Sequence, residues 1–156
     1  MKDYYPYPKR DAVKNYFPMP NEIFSLGLSA GEISVYSFLM YCEDRKTFQC
    51  HPSYKKIGLA LQMSQNTVRK YVDGLREKQL ITTEPTQVTM KNGRKRNGNL
   101  LYTIRPIEEA VRYHFEQQMM RLDAELQRQK ALKKLADYDR KHGKKAVDKT
   151  SLEQAG

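Results

Sequence analysis

The stretch from Pro52 to Ile81, PSYKKIGLALQMSQNTVRKYVDGLREKQLI, constrains this chain more than any other. It predicts two helices joined by a tight turn. Ile57, Leu59, Ala60 and Leu61 predict a first short helix that is nearly all core, and Gln62-Met63 the turn. Ser64 suits the start of the second helix, because its hydroxyl can accept from an otherwise unpaired amide of the first turn. Beyond it, Val68, Val72 and Leu75 recur at helical spacing and form one apolar stripe. The opposite face carries Gln65, Asn66, Thr67, Arg69 and Lys70, with Asp73 the single early acid. Such side chains can hydrogen-bond base edges or phosphates.

Leu80-Ile81 begins an extended segment, and Gln87-Val88-Thr89-Met90 has strand composition. KNGRKRNGN reads as a turn and LLYTI as the returning strand. The turn holds Lys91, Arg94, Lys95 and Arg96, and Asn92-Gly93 and Asn97-Gly98 offer easy positive φ angles. The expected fold class is mostly α with a small β-hairpin: a winged helix-turn-helix followed by a long C-terminal helix. In that layout one helix enters the major groove, and the hairpin reaches along the phosphates or into the minor groove. Ser64, Gln65, Asn66, Thr67, Arg69 and Lys70 are the candidate recognition residues. Tyr54, Lys55 and Lys56, on the preceding helix, are candidate phosphate contacts, as are Lys91, Arg94, Lys95 and Arg96 of the wing. A polar helix face alone is more often a solvated face, and a basic hairpin tip a solubilising loop. The order of cap, stripe and cationic hairpin at short spacing is the specific signal.

Lysine and arginine outnumber aspartate and glutamate by 28 to 18, a net charge of +10, which favours a polyanionic partner. Nucleic acid comes first and an anionic membrane surface second. A mean hydropathy of −0.81 implies a small core. No apolar run approaches the roughly 20 residues of a membrane span. No secretory leader is evident, so a cytoplasmic location is expected. Cys42 and Cys50 have no further ligands at metal-binding spacing, so no metal site is expected. Cys42 is expected to pack as a small apolar residue and Cys50-His51 to lie in a loop spanning Arg45 to His51. No phosphate-binding loop or nucleophile elbow is present, and His51, His114 and His142 lie far apart. The eleven tyrosines invite comparison with tyrosine-dependent DNA-nicking enzymes, but the paired histidines of a nickase are lacking. The expectation is a non-enzymatic protein with no cofactor and no evident small-molecule ligand.

Residues 1–20 are rich in tyrosine and proline and predict an extended arm. The winged domain is expected over 21–106, opened by a support helix that Ser29 and Glu32 begin as a capping box. Ile33, Val35, Tyr36, Phe38, Leu39 and Met40 make that helix apolar over more than one face. A long helix is expected over 107–142, ended by Gly143, with a disordered basic tail over 143–156. Phe115, Met119, Leu122 and Leu126 form a short coiled-coil seam on the long helix, interrupted by Gln129 and Lys133. That seam either pairs two copies as a homodimer or leaves Ile107, Val111 and Phe115 to fold back on the domain.

From Phe17 to about Ile107 the chain resembles bacterial winged-helix proteins carried on plasmids and integrative conjugative elements. The carrying stretches are FPMPNEIFSLGLSAGEISVYSFLMYCEDRKT, MSQNTVRKYVDGLREKQLI and KNGRKRNGNLLYTIRP. The resemblance implies double-stranded DNA as partner. It places the family's recognition positions on Gln65, Asn66, Thr67, Arg69 and Lys70, and its wing cations on Arg94, Lys95 and Arg96. It implies a sequence-specific regulator of a mobile element; the alternative is a replication-initiation or partition accessory protein that binds origin repeats. A protein-interaction module with a vestigial winged helix is a third reading.

Overall fold

The computed structural model describes residues 15–153, so residues 1–14 of the expected arm and 154–156 of the expected tail lie outside it. The chain divides into two compact units between His114 and Phe115. The fold is a winged helix-turn-helix followed by a long helix.

In the first unit, a 3-10 turn at Asn21–Phe24 precedes α1, Ala30–Cys42. Ser29 and Glu32 form the expected capping box: the Ser29 hydroxyl accepts from the Glu32 amide at 3.2 Å, and the Glu32 carboxylate accepts from the Ser29 amide at 2.8 Å. Helix α2 spans Tyr54–Leu61 and α3 spans Gln65–Glu77. Between them Gln62 takes a left-handed conformation, φ +56°, and the Met63 amide donates to the Gly58 carbonyl at 2.9 Å. A methyl group on Gly58 would strike the Met63 carbonyl oxygen, so the tightness of this turn requires glycine there. Ser64 begins α3 by accepting from the Thr67 amide.

The core joins Val35, Tyr36 and Leu39 of α1 to Ile57 of α2 and to Val68, Val72 and Leu75 of α3. The first helix is less buried than its composition suggests. Leu59 is 74% exposed and Ala60 is exposed, while Ile57 is fully buried. Residues two apart on a helix face nearly opposite directions, so α2 cannot bury both Ile57 and Leu59 on one side.

Strands β1 (Gln49–Cys50), β2 (Ile81–Glu84) and β5 (Leu101–Ile104) form an antiparallel sheet in the order β1-β5-β2. Cys50 is therefore not in a loop. It pairs with Tyr102, is buried, and its thiol lies 3.6 Å from the Leu39 carbonyl. The wing also differs from expectation. Gln87–Thr89 (β3) pairs not with LLYTI but with Lys95–Asn97 (β4), a segment expected to be turn. LLYTI pairs with β2, in register Ile81↔Ile104. The base of the wing is thus one strand pair and its tip another. The tip turn narrows to Lys91–Arg94, where Gly93 alone takes a positive φ, +77°. Each additional pair satisfies backbone groups that a long open turn would leave to water.

Helix α4, Ile107–Glu153, begins after Pro106, with Glu108 and Glu109 at its positive end. Its anchor in the first unit is Ala110, 1% exposed, beside half-buried Ile107; Val111 is 40% exposed. A small side chain lets the helix backbone approach the core where valine would hold it off. In the second unit Gly143 does not end the helix, and the expected disordered tail is helical as far as Glu153. A mid-helix glycine costs only about 1 kcal/mol relative to alanine. It terminates a helix when the backbone turns left-handed there, and Gly143 is not among the positive-φ glycines. No helix of the described residues is long and apolar enough to cross a membrane.

Candidate nucleic-acid interface

Successive side chains on α3 are separated by about 100°. Val68, Val72 and Leu75 face the core, and each is at most 1% exposed. One flank rests on α1: Tyr71 lies over Gly31, where a methyl group would meet its ring, and Gly74 lies over the Glu32 carboxylate. The other flank faces α2 and the sheet: the Arg69 guanidinium lies 5.8 Å from the Tyr54 ring centre, and Arg76 donates to the Thr83 hydroxyl at 3.2 Å. What remains outward is Asn66 and Lys70, then Asp73 and Glu77 further along, all exposed. Asp73 lies 3.9 Å from the exposed Arg76 guanidinium, which offsets its charge, while Glu77 would repel phosphate. The first two turns of α3 carry exposed amides and cations and no acid, the surface best suited to a polyanion.

The predicted recognition residues divide by role. Gln65, Asn66, Arg69 and Lys70 are exposed, whereas Thr67 is half-buried. The Ser64 hydroxyl holds the helix start by accepting from the Thr67 amide N–H, and it meets the Thr67 hydroxyl at 2.8 Å, which leaves both side chains less free to bond elsewhere. Lys55 and Lys56 are exposed in the first turn of α2, beside Ser53, which caps that helix by accepting from the Lys56 amide at 3.1 Å.

The wing cations are all exposed, but the ribbon separates them. Arg96 lies opposite Val88 and Lys95 opposite Thr89. Neighbouring strand residues point to opposite faces, so Lys95 and Arg96 cannot both lie flat against one phosphate backbone. Lys91 and Arg94 flank the tip turn, where the Arg94 amide donates to the Asn92 side chain at 3.1 Å.

Behind α3 lies an ion pair that the sequence does not announce. Glu32, 7% exposed, accepts from the Lys78 ammonium at 2.8 and 2.9 Å while closing the capping box. Burial works to raise its carboxyl, but the bonds from Lys78 and Ser29 outweigh that and hold it below the usual value. The pair ties the start of α1 to the end of α3. Its signal in the sequence was only the capping box; Lys78 lies 46 residues away.

Burial pushes the Cys50 thiol up to about 12, with Cys42 and Glu43 adding to the shift, and burial raises Cys42 as well. Both thiols are thus held above the ordinary cysteine range by their burial. Among the described residues no group of histidine, cysteine or carboxylate side chains is placed to hold a metal ion.

The helices, the turn and the paired wing define a winged helix-turn-helix protein. Residues 26–81 match a family described as a helix-turn-helix domain, a span that ends at the first residue of β2. Among solved structures, the chain is similar to a possible transcriptional regulator from Methanosarcina mazei Go1. The identity is 20%, with 67% of this chain and 81% of that chain covered and a TM-score of 0.43. It is also similar to the MarR family transcription regulator SP03579, at 15% identity, with coverage of 65% and 58% and a TM-score of 0.39. A third is the reduced form of the transcriptional regulator YodB from B. subtilis, at 16% identity, with coverage of 66% and 90% and a TM-score of 0.36. No curated protein matches the chain.

Proposed function

We propose that this protein binds double-stranded DNA in a sequence-specific manner and acts in the cytoplasm as a transcriptional regulator of a bacterial mobile element. The observation that carries the DNA reading is the exposed start of α3, where Gln65, Asn66, Arg69 and Lys70 stand on a helix fixed from behind by its apolar stripe. Amide and guanidinium side chains on a rigid helix are suited to reading base edges in the major groove. Exposed cations on α2 and the wing add sequence-independent attraction to phosphate. The mobile-element setting rests on the resemblance of Phe17 to Ile107 to plasmid and integrative-element proteins.

Two copies acting together fit the second unit. Phe115, Met119, Leu122 and Leu126 are 43–60% exposed along one stripe of α4, and pairing would remove that apolar surface from water. A dimer would place two recognition helices on half-sites about one helical turn apart.

The test is selection from a randomised duplex library, followed by footprinting on the DNA of the host element. Enrichment of one motif over single-stranded and scrambled competitors, with protection of a promoter, is the expected result. Iterated protected sites beside a replication origin would instead identify an initiation or partition accessory factor. No sequence preference at all would refute the reading.

A further inference from the structure

Arg69 stands on the recognition helix, but the ring beneath it does not. Tyr54 is the first residue of α2, and its ring is packed against the domain core. It borders the groove that Gln65, Asn99 and Tyr102 also line, between the two helices and the base of the wing. The guanidinium carbon of Arg69 sits 5.8 Å from the centre of that ring, within the range of a cation–π contact. Asp73 lies one turn beyond Arg69 on the same helix. Burial, the largest influence, together with the charge of Asp73, raises the Tyr54 hydroxyl, while Arg69 and Arg76 oppose the shift. The ring therefore stays uncharged at physiological pH and keeps its electron-rich face available to a cation.

A long, exposed arginine samples many rotamers, and ordering it on binding costs affinity. A residue already held over a fixed ring enters the groove with part of that cost removed, and its planar fork is aimed before DNA arrives. We infer that Tyr54 is a positioning residue whose ring braces the Arg69 guanidinium for reading one base pair, and that Tyr54 itself makes no phosphate contact. The inference rests on α3 being the recognition helix, as proposed above. It departs from the expectation that Tyr54 joins Lys55 and Lys56 on the backbone; those two lysines keep that role.

The experiment uses the full chain and a duplex recovered by the wild type from a randomised library, with all four bases tested at each position. The variants are Tyr54→Phe, Tyr54→Leu, Arg69→Ala and the Tyr54→Leu/Arg69→Ala double. The phenylalanine variant, which keeps the ring, should retain both affinity and specificity. The leucine variant should lose up to about tenfold in discrimination at the one base pair that Arg69→Ala relaxes, with an unchanged salt slope. In the Arg69→Ala background the leucine substitution should do nothing more. If Tyr54→Leu loses its near-UV circular dichroism, Tyr54→Met takes its place. In the free protein, the Arg69 side-chain NMR signals should be shifted upfield by the ring in the wild type and in Tyr54→Phe, and not in the leucine variant. Uniform weakening by Tyr54→Phe on every sequence, with the salt slope unchanged, would mean the neutral hydroxyl holds phosphate, and would overturn the inference. An equal leucine effect with and without Arg69 would overturn it too, as would unshifted Arg69 signals in the wild type. A wild type that enriches no sequence would overturn the functional reading as well; a specific wild type without this coupling overturns the role of Tyr54 alone.

Discussion

Replacing Glu32 by glutamine tests whether the charge behind α3, rather than mere packing, holds that helix in place. The carboxylate receives three hydrogen bonds, one from the Ser29 amide and two from the Lys78 ammonium. Glutamine keeps the size and one acceptor oxygen but presents its amide group to a cation. Hydrogen bonds to charged groups are worth about 1.5–3 kcal/mol, and breaking a buried pair about 3–5 kcal/mol. The Lys78 side chain is 33% exposed and can recover water, so the lower range applies. We expect a loss of about 2 kcal/mol, or a melting point lower by about 8–16 °C for a unit of this size. The assay is thermal and urea unfolding followed by near-UV circular dichroism, which reports the buried rings of Tyr36 and Tyr102. The pH dependence supplies the sign. The folded carboxyl lies below its free value of 4.5, so the folded state takes up a proton less readily than the unfolded one. The stabilisation is fully present above that free value and is lost as pH falls through the folded one. The gap between wild type and Glu32→Gln should therefore be constant from neutrality down to about pH 5 and fade below about pH 4. A gap of the same size at neutral pH and at the acid end would refute the reasoning, since only a neutral contact could produce it.

Gly58→Ala should destabilise by about 1–3 kcal/mol, because the added methyl meets the Met63 carbonyl in the helix-turn-helix turn; urea unfolding measures it, and a neutral result would show that the turn relaxes. Lys95→Ala and Arg96→Ala should differ, since the two side chains lie on opposite ribbon faces. One should lower the salt slope of DNA binding by about 0.9 and the other leave it unchanged, and equal slopes would contradict a wing lying on one face. Leu122→Glu/Leu126→Glu should shift sedimentation from dimer to monomer while single-site DNA contacts survive. A wild type already monomeric at tens of micromolar, about where short coiled coils fail, would remove the dimer from the proposal.

What could be foreseen from the residues was whatever local chemistry decides. Ser29 with Glu32, and Ser64 ahead of Val68, Val72 and Leu75, carry their instructions within a turn or two of helix, and α1 and α3 begin where those signals lie. β1 had no such signal: two residues are too short to alternate, and Gln49-Cys50 becomes a strand only because Thr103 and Tyr102 lie alongside. The tip of the wing was displaced for a related reason. Lysine, arginine and asparagine have weak strand preference, yet Lys95–Asn97 pairs because β3 offers a complementary edge. Spacing also foretold the exposed face of α3, half-buried Thr67 apart, but not what lies under it. The Tyr54–Arg69 and Glu32–Lys78 contacts join residues of different helices, or a helix and a cap, and no periodicity within one segment encodes them.

The central place of β5 bears on how the protein is made. Every helix of the helix-turn-helix is synthesised before Leu101, yet β1 and β2 meet only through that strand, by way of Gln49↔Thr103 and Ile81↔Ile104. A nascent chain that has delivered the whole matched segment still lacks Tyr102, Ile104 and Ala110, three members of the core. Contacts this distant in sequence form late and slowly. Until they form, Ile81 and the part of the core that Tyr102 and Ile104 cover stay open to wrong partners, including the same surface on a neighbouring nascent chain. The first unit thus becomes rigid only once β5 has been translated, so the proposed DNA binding and the completed wing should arrive together on the ribosome.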